Sequence, residues 1–159
     1  MNKRATIAIA LLLGIALLFI LYLSWPQLTG TQVILATRPV DPFDPLRGQY
    51  MAINYEISRI PAISAAAQGS TVYVGIKPDE QGIWRMTQAS LNPPGGVFLR
   101  GKVEYINNDQ MSVRYGIEQY FTQRGITIPN NNITVHAAVA SSGRASIISL
   151  LHNNHPLDV

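Results

Sequence analysis

Residues Ala5 to Trp25, ATIAIALLLGIALLFILYLSW, form a run of 21 residues without a charged side chain. As a helix rising 1.5 Å per residue, this run is about 30 Å long, which matches the hydrocarbon core of a bilayer. A cleaved secretory signal has a shorter apolar region, about 7 to 15 residues, followed by a small-residue cleavage site. The length of the run, with Tyr22 and Trp25 near its end, favours an uncleaved anchor that contacts the lipid bilayer through residues 5–25.

The charges around this run predict its orientation. Lys3 and Arg4 lie directly before it, and the next basic residue is Arg38. The positive-inside rule therefore places the amino terminus in the cytoplasm and the rest of the chain outside, as a single-pass protein of the cytoplasmic membrane. We expect a stub and anchor over 1–27, an exported β domain over 28–155 and a tail over 156–159. The chain has no cysteine, so disulfides and thiol chemistry are excluded.

The net charge gives no support for nucleic acid as a partner. The chain carries 12 basic and 9 acidic residues, and its net charge is +3. Two of the basic residues, Lys3 and Arg4, belong to the anchor, so the exported part is nearly neutral. Nucleic-acid binding calls for a clustered basic face. No nucleic acid is therefore expected among the partners.

Beyond the anchor, apolar and polar residues alternate with the period of a strand and not that of a helix. In VFLRGKVEYI, Val97, Leu99, Val103 and Tyr105 share one parity, and the charged residues share the other. Turn-forming stretches such as KPDEQG, NPPGG and PNNN separate the segments. The pattern predicts strands at 31–37, 71–77, 82–91, 97–106, 111–115, 132–140 and 145–151, in addition to the strand within residues 47–57.

About eight strands separated by turns predict a mainly β domain, either an antiparallel β sandwich or a partly closed β barrel. The sequence leaves these two architectures open. One or two short helices are expected, at SRIPAISAAAQ (58–68) and YGIEQYF (115–121). The predicted protein is thus one N-terminal transmembrane helix followed by an exported β domain.

The most distinctive stretch is RGQYMAINYEI, residues 47–57. Its core, Gly48 to Tyr55, resembles the Gly-Asp-Tyr-x-x-Leu-x-Tyr strand that names the GDYXXLXY protein family, and further stretches at 40–48, 72–84, 95–105 and 113–121 are also similar. The resemblance implies a membrane-anchored exported domain without an established role, often encoded beside a multi-pass membrane protein. It implies no catalytic residue and no cofactor. Gln49 stands where the family motif has Asp, so a carboxylate function at this position is disfavoured.

The strand period divides this stretch into two faces. Met51, Ile53, Tyr55 and Ile57 are predicted to face the core, where the Tyr55 hydroxyl would reach a polar partner. Tyr50, Asn54 and Glu56 lie on the other face. This second face is interpreted either as a solvated surface or as a surface that recognises a partner.

Two further segments contain candidate site residues. Asp41 and Asp44 precede prolines and are followed by Arg47, which suggests either a paired-carboxylate site or a rigid turn with satisfied charges. In the second segment a helical turn would place several side chains around a pocket, or would pair Arg114 with Glu118. The candidates there are Arg114, Tyr115, Glu118, Gln119 and Tyr120. His136, His152 and His155 do not form a recognisable metal motif, so no metal is predicted.

Together, the location and the lack of a chemical signature favour an interaction or accessory module that works with a multi-pass membrane protein. An alternative is an envelope hydrolase that uses Asp41, Asp44 and Glu118, which requires two of these carboxylates in one cleft. A second alternative is a small-ligand barrel, which requires an apolar interior cavity.

Overall fold

The apolar run forms one continuous helix in this computed structural model, which describes residues 3–38, 50–121 and 132–157. Helix α1 spans Lys3–Thr29, and its segment Thr6–Ser24 is long and apolar enough to cross a membrane. No part of that segment is buried against the described chain. Only Gly30 separates α1 from the first strand.

Twelve strands follow α1 in the described residues. They are β1 (Thr31–Arg38), β2 (Tyr50–Ala52), β3 (Asn54–Tyr55), β4 (Arg59–Pro61), β5 (Thr71–Pro78), β6 (Ile83–Ser90), β7 (Phe98–Asn107), β8 (Gln110–Arg114), β9 (Gln119–Phe121), β10 (Ile133–Val139), β11 (Ala145–His152) and β12 (His155–Pro156). The predicted mainly β domain is confirmed. The strands expected from the alternation are present, except that the one expected within residues 47–57 is divided between β2 and β3 in its described part.

Ten strands form one sheet, in the order β12-β11-β10-β1-β6-β5-β7-β8-β4, with β3 attached to β1. β2 and β9 form a separate two-stranded ribbon. The sheet is mixed and not purely antiparallel, because β1 runs parallel to β6, with Ile34 opposite Ile83. β1 enters directly from the helix and joins two antiparallel groups, β10 to β12 on one side and β6, β5, β7, β8 and β4 on the other.

The sheet curls but is not closed. β3 pairs with the end of β1, whereas β4, only a few residues later, pairs with β8 at the far side of the sheet. A 3-10 turn, Glu56–Ser58, lies between β3 and β4. Residues 54–61 therefore cross between the two sides, and the turn interrupts the ring of hydrogen-bonded strands. The predicted β domain is therefore a curled, mixed sheet that is not closed.

One apolar core lies inside the curled sheet. Its largest fully buried side chains come from distant parts of the chain and include Leu35, Tyr55, Ile60, Leu99, Met111 and Leu150. Burying a side chain of this size stabilises the fold by about 1.5–3 kcal/mol. Tyr105 departs from the predicted inward parity, because a bulge between Val103 and Tyr105 shifts the register and leaves Tyr105 50% exposed.

The two expected short helices are not where the sequence placed them. Residues 59–61 form β4, and 119–121 form β9, while the 3-10 turn lies at Glu56–Ser58. The carboxyl-terminal stretch HNNHPLDV begins with a hairpin. Asn153 and Asn154 have φ of 50° and 66°, values that suit a type I′ turn, and His152 pairs with His155.

Candidate functional site

The motif segment is not one continuous strand. β2 pairs with β9, β3 pairs with β1, and Ile53 lies between them. The Ile53 N–H donates to the carbonyl of Glu118 at 2.8 Å. The strand period still holds across this break, because Ile53, Tyr55 and Ile57 are all buried. The predicted core face is confirmed for these three residues; the side chain of Met51 lies outside the described part of the structure.

Tyr55 and Tyr115 connect the motif segment to residues 115–118 by two hydrogen bonds. The Tyr55 hydroxyl donates to the Ile117 carbonyl at 2.6 Å, and the Tyr115 hydroxyl donates to the Ile57 carbonyl at 2.6 Å. Each hydroxyl thus binds the backbone two residues after the other tyrosine. Both rings are buried. We call these two residues the tyrosine pair. The sequence predicted a polar partner for the Tyr55 hydroxyl, but it did not predict the hydrogen bond of Tyr115.

The environment of the tyrosine pair suits it to structure and not to proton transfer. Burial raises the pKa of both hydroxyls above the ordinary tyrosine range, and the negative charge of Glu118 raises it further. Both hydroxyls therefore stay protonated and donate to backbone carbonyls of the opposite segment. Deleting one such donor leaves a buried carbonyl without its partner, which costs about 1–3 kcal/mol.

Glu118 closes a tight turn next to the tyrosine pair. Its carboxylate accepts hydrogen bonds from the backbone N–H groups of Tyr115 and Gly116, the latter at 2.9 Å. Gly116 has a φ of +85°, a conformation that favours glycine. The sequence predicted a helical turn with an Arg114–Glu118 pair, and this is wrong. The positive φ at Gly116 ends the helical geometry, and Arg114 pairs with Glu104 across the β7–β8 hairpin at 2.5 Å.

Gln119 and Tyr120 lie in β9, which pairs with β2. Met51 is opposite Tyr120, and Ala52 is opposite Gln119. Gln119 is exposed, and Tyr120 is half-buried against the core. Tyr50 pairs with Phe121 through the backbone. The β2–β9 ribbon therefore joins the two family-like segments a second time, beyond the tyrosine pair.

Glu56 belongs to a charged network that the sequence did not indicate. Arg85 in β6 pairs with Glu56 and, at 3.1 Å, with Asp79 in the β5–β6 turn. Asp79 also accepts the N–H groups of Gln81 and Ile83. Desolvation raises the pKa of Asp79, but the hydrogen bonds from Arg85 and the two N–H groups outweigh it, so that the pKa lies below its usual value. The network holds the start of the 3-10 turn to β6.

The remaining candidates divide into two groups. Asp41, Asp44 and Arg47 lie outside the described residues, so the paired-carboxylate hypothesis stays a prediction. Asn54 is exposed and pairs with Arg38 at the end of β1. Tyr115 and Glu118 lie together, whereas Arg114 pairs with Glu104 and Glu56 belongs to the Arg85 network. The described candidates are thus distributed over several places instead of one cleft.

A group of cations lies on the outer face of the β7–β8 hairpin. Arg100 and Lys102 alternate with buried residues of β7, and Arg114 of β8 is directly opposite Lys102. All three side chains line an open depression of about 460 Å³, together with Thr71, Gly101, Tyr115 and Gly116. We call Arg100, Lys102 and Arg114 the basic surface. The strand period predicts that Arg100 and Lys102 share a face, but the position of Arg114 opposite Lys102 depends on the register of β8 on β7.

The basic surface adjoins the contact between the β domain and α1. The Arg144 guanidinium lies over the Tyr22 ring of α1, 4.7 Å from its centroid. The preceding residue, Gly143, accepts the Arg100 N–H at 2.8 Å. A cation–aromatic contact of this kind contributes about 0.5–1 kcal/mol at an exposed site. The β10–β11 turn therefore connects the helix to the start of the basic surface.

The model of the GDYXXLXY protein family matches residues 12–150, which is most of the chain. The match includes part of α1, the motif segment, the tyrosine pair and the basic surface. No curated protein and no solved structure is detectably similar to the chain.

Proposed function

We propose that this chain, which belongs to the GDYXXLXY protein family, is a membrane-anchored extracytoplasmic module that works by contact with an integral membrane partner. The observation that carries the proposal is the exposure of α1. Its Thr6–Ser24 segment is apolar on every side, and none of it is buried, although Arg144 of the β domain contacts Tyr22 near its end. Lipid stabilises such a helix, which can also pack against other spanning helices.

The orientation follows from the two ends of α1. Lys3 and Arg4 precede the apolar segment, which favours a cytoplasmic amino terminus. The β domain starts at Thr31, directly after the helix, and would lie against the opposite membrane surface. In this position the domain could reach the exposed loops of a multi-pass membrane protein, the partner that the family resemblance implies.

Three of the described carboxylates have structural partners, which supports contact as the mode of action. Glu118 binds two backbone N–H groups, Glu56 pairs with Arg85, and Glu104 pairs with Arg114. Each of these acids has a structural partner. The motif segment itself is buried or paired along most of its described length. Surfaces of the domain, and the lipid-facing sides of α1, are therefore the regions we assign to recognition.

Orientation can be tested with single cysteines, because the native chain has none. Ser142 is exposed in the β10–β11 turn. Cells are used whose outer layer admits the reagent and whose cytoplasmic membrane is intact. In these cells the Ser142→Cys protein should react with a maleimide that cannot cross the cytoplasmic membrane. The unsubstituted chain is the control for background labelling. Reaction only after the cytoplasmic membrane is permeabilised would reverse the proposed orientation.

The partner can be sought from within the membrane. Leu11, Leu12 and Leu13 are exposed and, at about 100° apart around the helix, sample all of its sides. A photoreactive residue at each position in turn should give crosslinks to one membrane protein from one or two positions only. Crosslinks to lipid alone from all three positions would reject the partner while leaving the anchor intact.

A further inference from the structure

We infer that the basic surface binds anionic phospholipid headgroups of the membrane that holds α1, and thereby sets the tilt of the β domain on that membrane. This inference rests on the proposed anchoring of α1. It concerns a surface of the exported domain, and it names phospholipid phosphates as the ligand.

The position of Arg144 places the start of this surface at the membrane boundary. Tyr22 is near the end of the apolar segment Thr6–Ser24, where aromatic rings lie at the level of the headgroups. Because Arg144 lies over the Tyr22 ring at 4.7 Å, its guanidinium is at the same level. An arginine at this depth can bind a phosphate while its other face contacts the ring.

The basic surface continues from this point. Gly143 binds the Arg100 N–H at 2.8 Å, so the start of the basic surface is one hydrogen bond away from the turn that contains Arg144. Lys102 follows two residues later on the same exposed face, and Arg114 is opposite it. The cations therefore form a continuous group that begins at the helix end.

The positive charge of this group is only partly neutralised by the protein. Arg114 pairs with Glu104, but neither Arg100 nor Lys102 forms an ion pair within the described part of the chain. The nearby carboxylate of Glu118 is occupied by two backbone N–H groups. Two like charges directly opposite in a sheet destabilise it, as Lys102 and Arg114 do here. A bound phosphate would relieve that repulsion.

The shape and the position of the basic surface also favour lipid as its ligand. The depression lined by the three cations is open, with about 460 Å³ of space, which suits a headgroup that approaches from a planar surface. Basic residues near a membrane are attracted by anionic lipids over about one Debye length. The start of the basic surface is within such a distance of the boundary because of its link to Arg144.

The test uses the full chain in nanodiscs. A fluorophore on Gln110→Cys reports from the outer face of β8, four residues before Arg114. Quenching by headgroup-nitroxide lipids should be about twofold stronger in discs with phosphatidylglycerol than in phosphatidylcholine alone. Raising the ionic strength from about 0.1 M to about 1 M shortens the Debye length from about 10 Å to about 3 Å and should remove the difference.

A matched pair of double variants separates a local surface from net charge. Arg100→Gln/Lys102→Gln removes two cations of the basic surface, and Arg59→Gln/Lys77→Gln removes two exposed cations elsewhere. Only the first should abolish the phosphatidylglycerol effect. Equal loss in both variants, or equal quenching of the parent in both kinds of disc, overturns the inference. Circular dichroism of each variant checks that the β domain is folded.

Two further outcomes distinguish this inference from the proposed function. If alkaline carbonate extracts the chain from membranes, the anchor itself is wrong. If the chain resists extraction but lacks the lipid effect, the anchor stands and the lipid surface is rejected. Loss of a crosslinked protein partner in Arg100→Gln/Lys102→Gln, without a lipid effect in the parent, would assign the basic surface to an acidic protein segment and also reject the inference.

Discussion

The tyrosine pair and the basic surface are neighbours, since Tyr115 borders the depression that the three cations line, but they differ in how the protein uses them. Tyr55 and Tyr115 are buried, and each hydroxyl has a backbone partner at 2.6 Å. Arg100 and Lys102 are exposed, and within the described chain they have no ion-pair partner. The first group is fully satisfied by the fold, and the second is not.

This difference separates residues that stabilise the fold from residues that are available for binding. A group whose hydrogen bonds are all made inside the protein contributes to stability and offers nothing to a ligand. Exposed cations without an ion-pair partner contribute little to the stability of the fold and stay available to a ligand. Substitutions should therefore reduce stability in the tyrosine pair and leave it nearly unchanged in the basic surface.

The largest effect is expected from Tyr55→Ala. The side chain is fully buried, and its removal leaves a cavity and an unsatisfied Ile117 carbonyl. We expect the free energy of unfolding to fall by about 3–5 kcal/mol, measured by urea denaturation of the β domain in the detergent-solubilised full chain. Tyr105→Ala is the control, because Tyr105 is 50% exposed. Equal losses in both variants would contradict the assigned role of Tyr55.

Removing the hydroxyls alone should have a smaller effect. Tyr55→Phe and Tyr115→Phe each keep the ring and delete one donor to a buried carbonyl. Each should lower the free energy of unfolding by about 1–3 kcal/mol. Because both bonds join the same two segments, the double variant should lose less than the sum of the single losses. Strictly additive losses would show that the two bonds act independently.

Alkaline pH should weaken the same pair. The pKa of each hydroxyl is raised in the folded state, so the folded protein holds a proton that the unfolded chain releases above its ordinary pKa of about 10. The contribution of the two hydroxyls to the free energy of unfolding is therefore fully present below about pH 10. It falls as pH rises beyond that value, by about 1.4 kcal/mol per pH unit for each tyrosine. The slope of unfolding free energy against pH measures this.

Single Phe variants provide the control for the alkaline effect. Other groups also titrate above pH 10, so the informative quantity is the change in slope relative to the parent chain. Tyr55→Phe and Tyr115→Phe should each reduce the slope by one proton. An unchanged slope in both variants would mean that neither hydroxyl is held neutral by burial.

The strands, the apolar helix and the core face of the motif could be predicted from the sequence because each depends on local period. The Tyr55 hydroxyl was likewise expected to find a partner, since a buried hydroxyl requires one. The parallel β1–β6 pair could not be predicted, because it joins segments whose contact depends on the order of the whole sheet. Tyr105 was placed wrongly for a related reason: one bulge reverses the parity of every later residue in the strand.

The candidate site was harder to predict than the fold. The stretch YGIEQYF suggested a helical turn from its spacing, but the actual turn depends on the positive φ of Gly116 and on the Glu118 carboxylate that accepts two N–H groups. Arg114 had two acids within reach in sequence, and the β7–β8 register selected Glu104 over Glu118. Side-chain partners of this kind follow from register and turn geometry, which the strand period leaves undetermined.

The smallest effect is expected in the basic surface. Lys102→Gln removes a cation that faces Arg114 across the hairpin, so the free energy of unfolding should stay unchanged or rise by at most about 0.5 kcal/mol. Glu104→Gln provides the opposite change, since it frees Arg114 from its ion pair and increases the repulsion. Thermal unfolding of both variants in detergent, without anionic lipid, should give a lower midpoint for Glu104→Gln and an unchanged or slightly higher midpoint for Lys102→Gln. A marked loss of stability in Lys102→Gln would show that this lysine is part of the structure, and the contrast with the tyrosine pair would no longer hold.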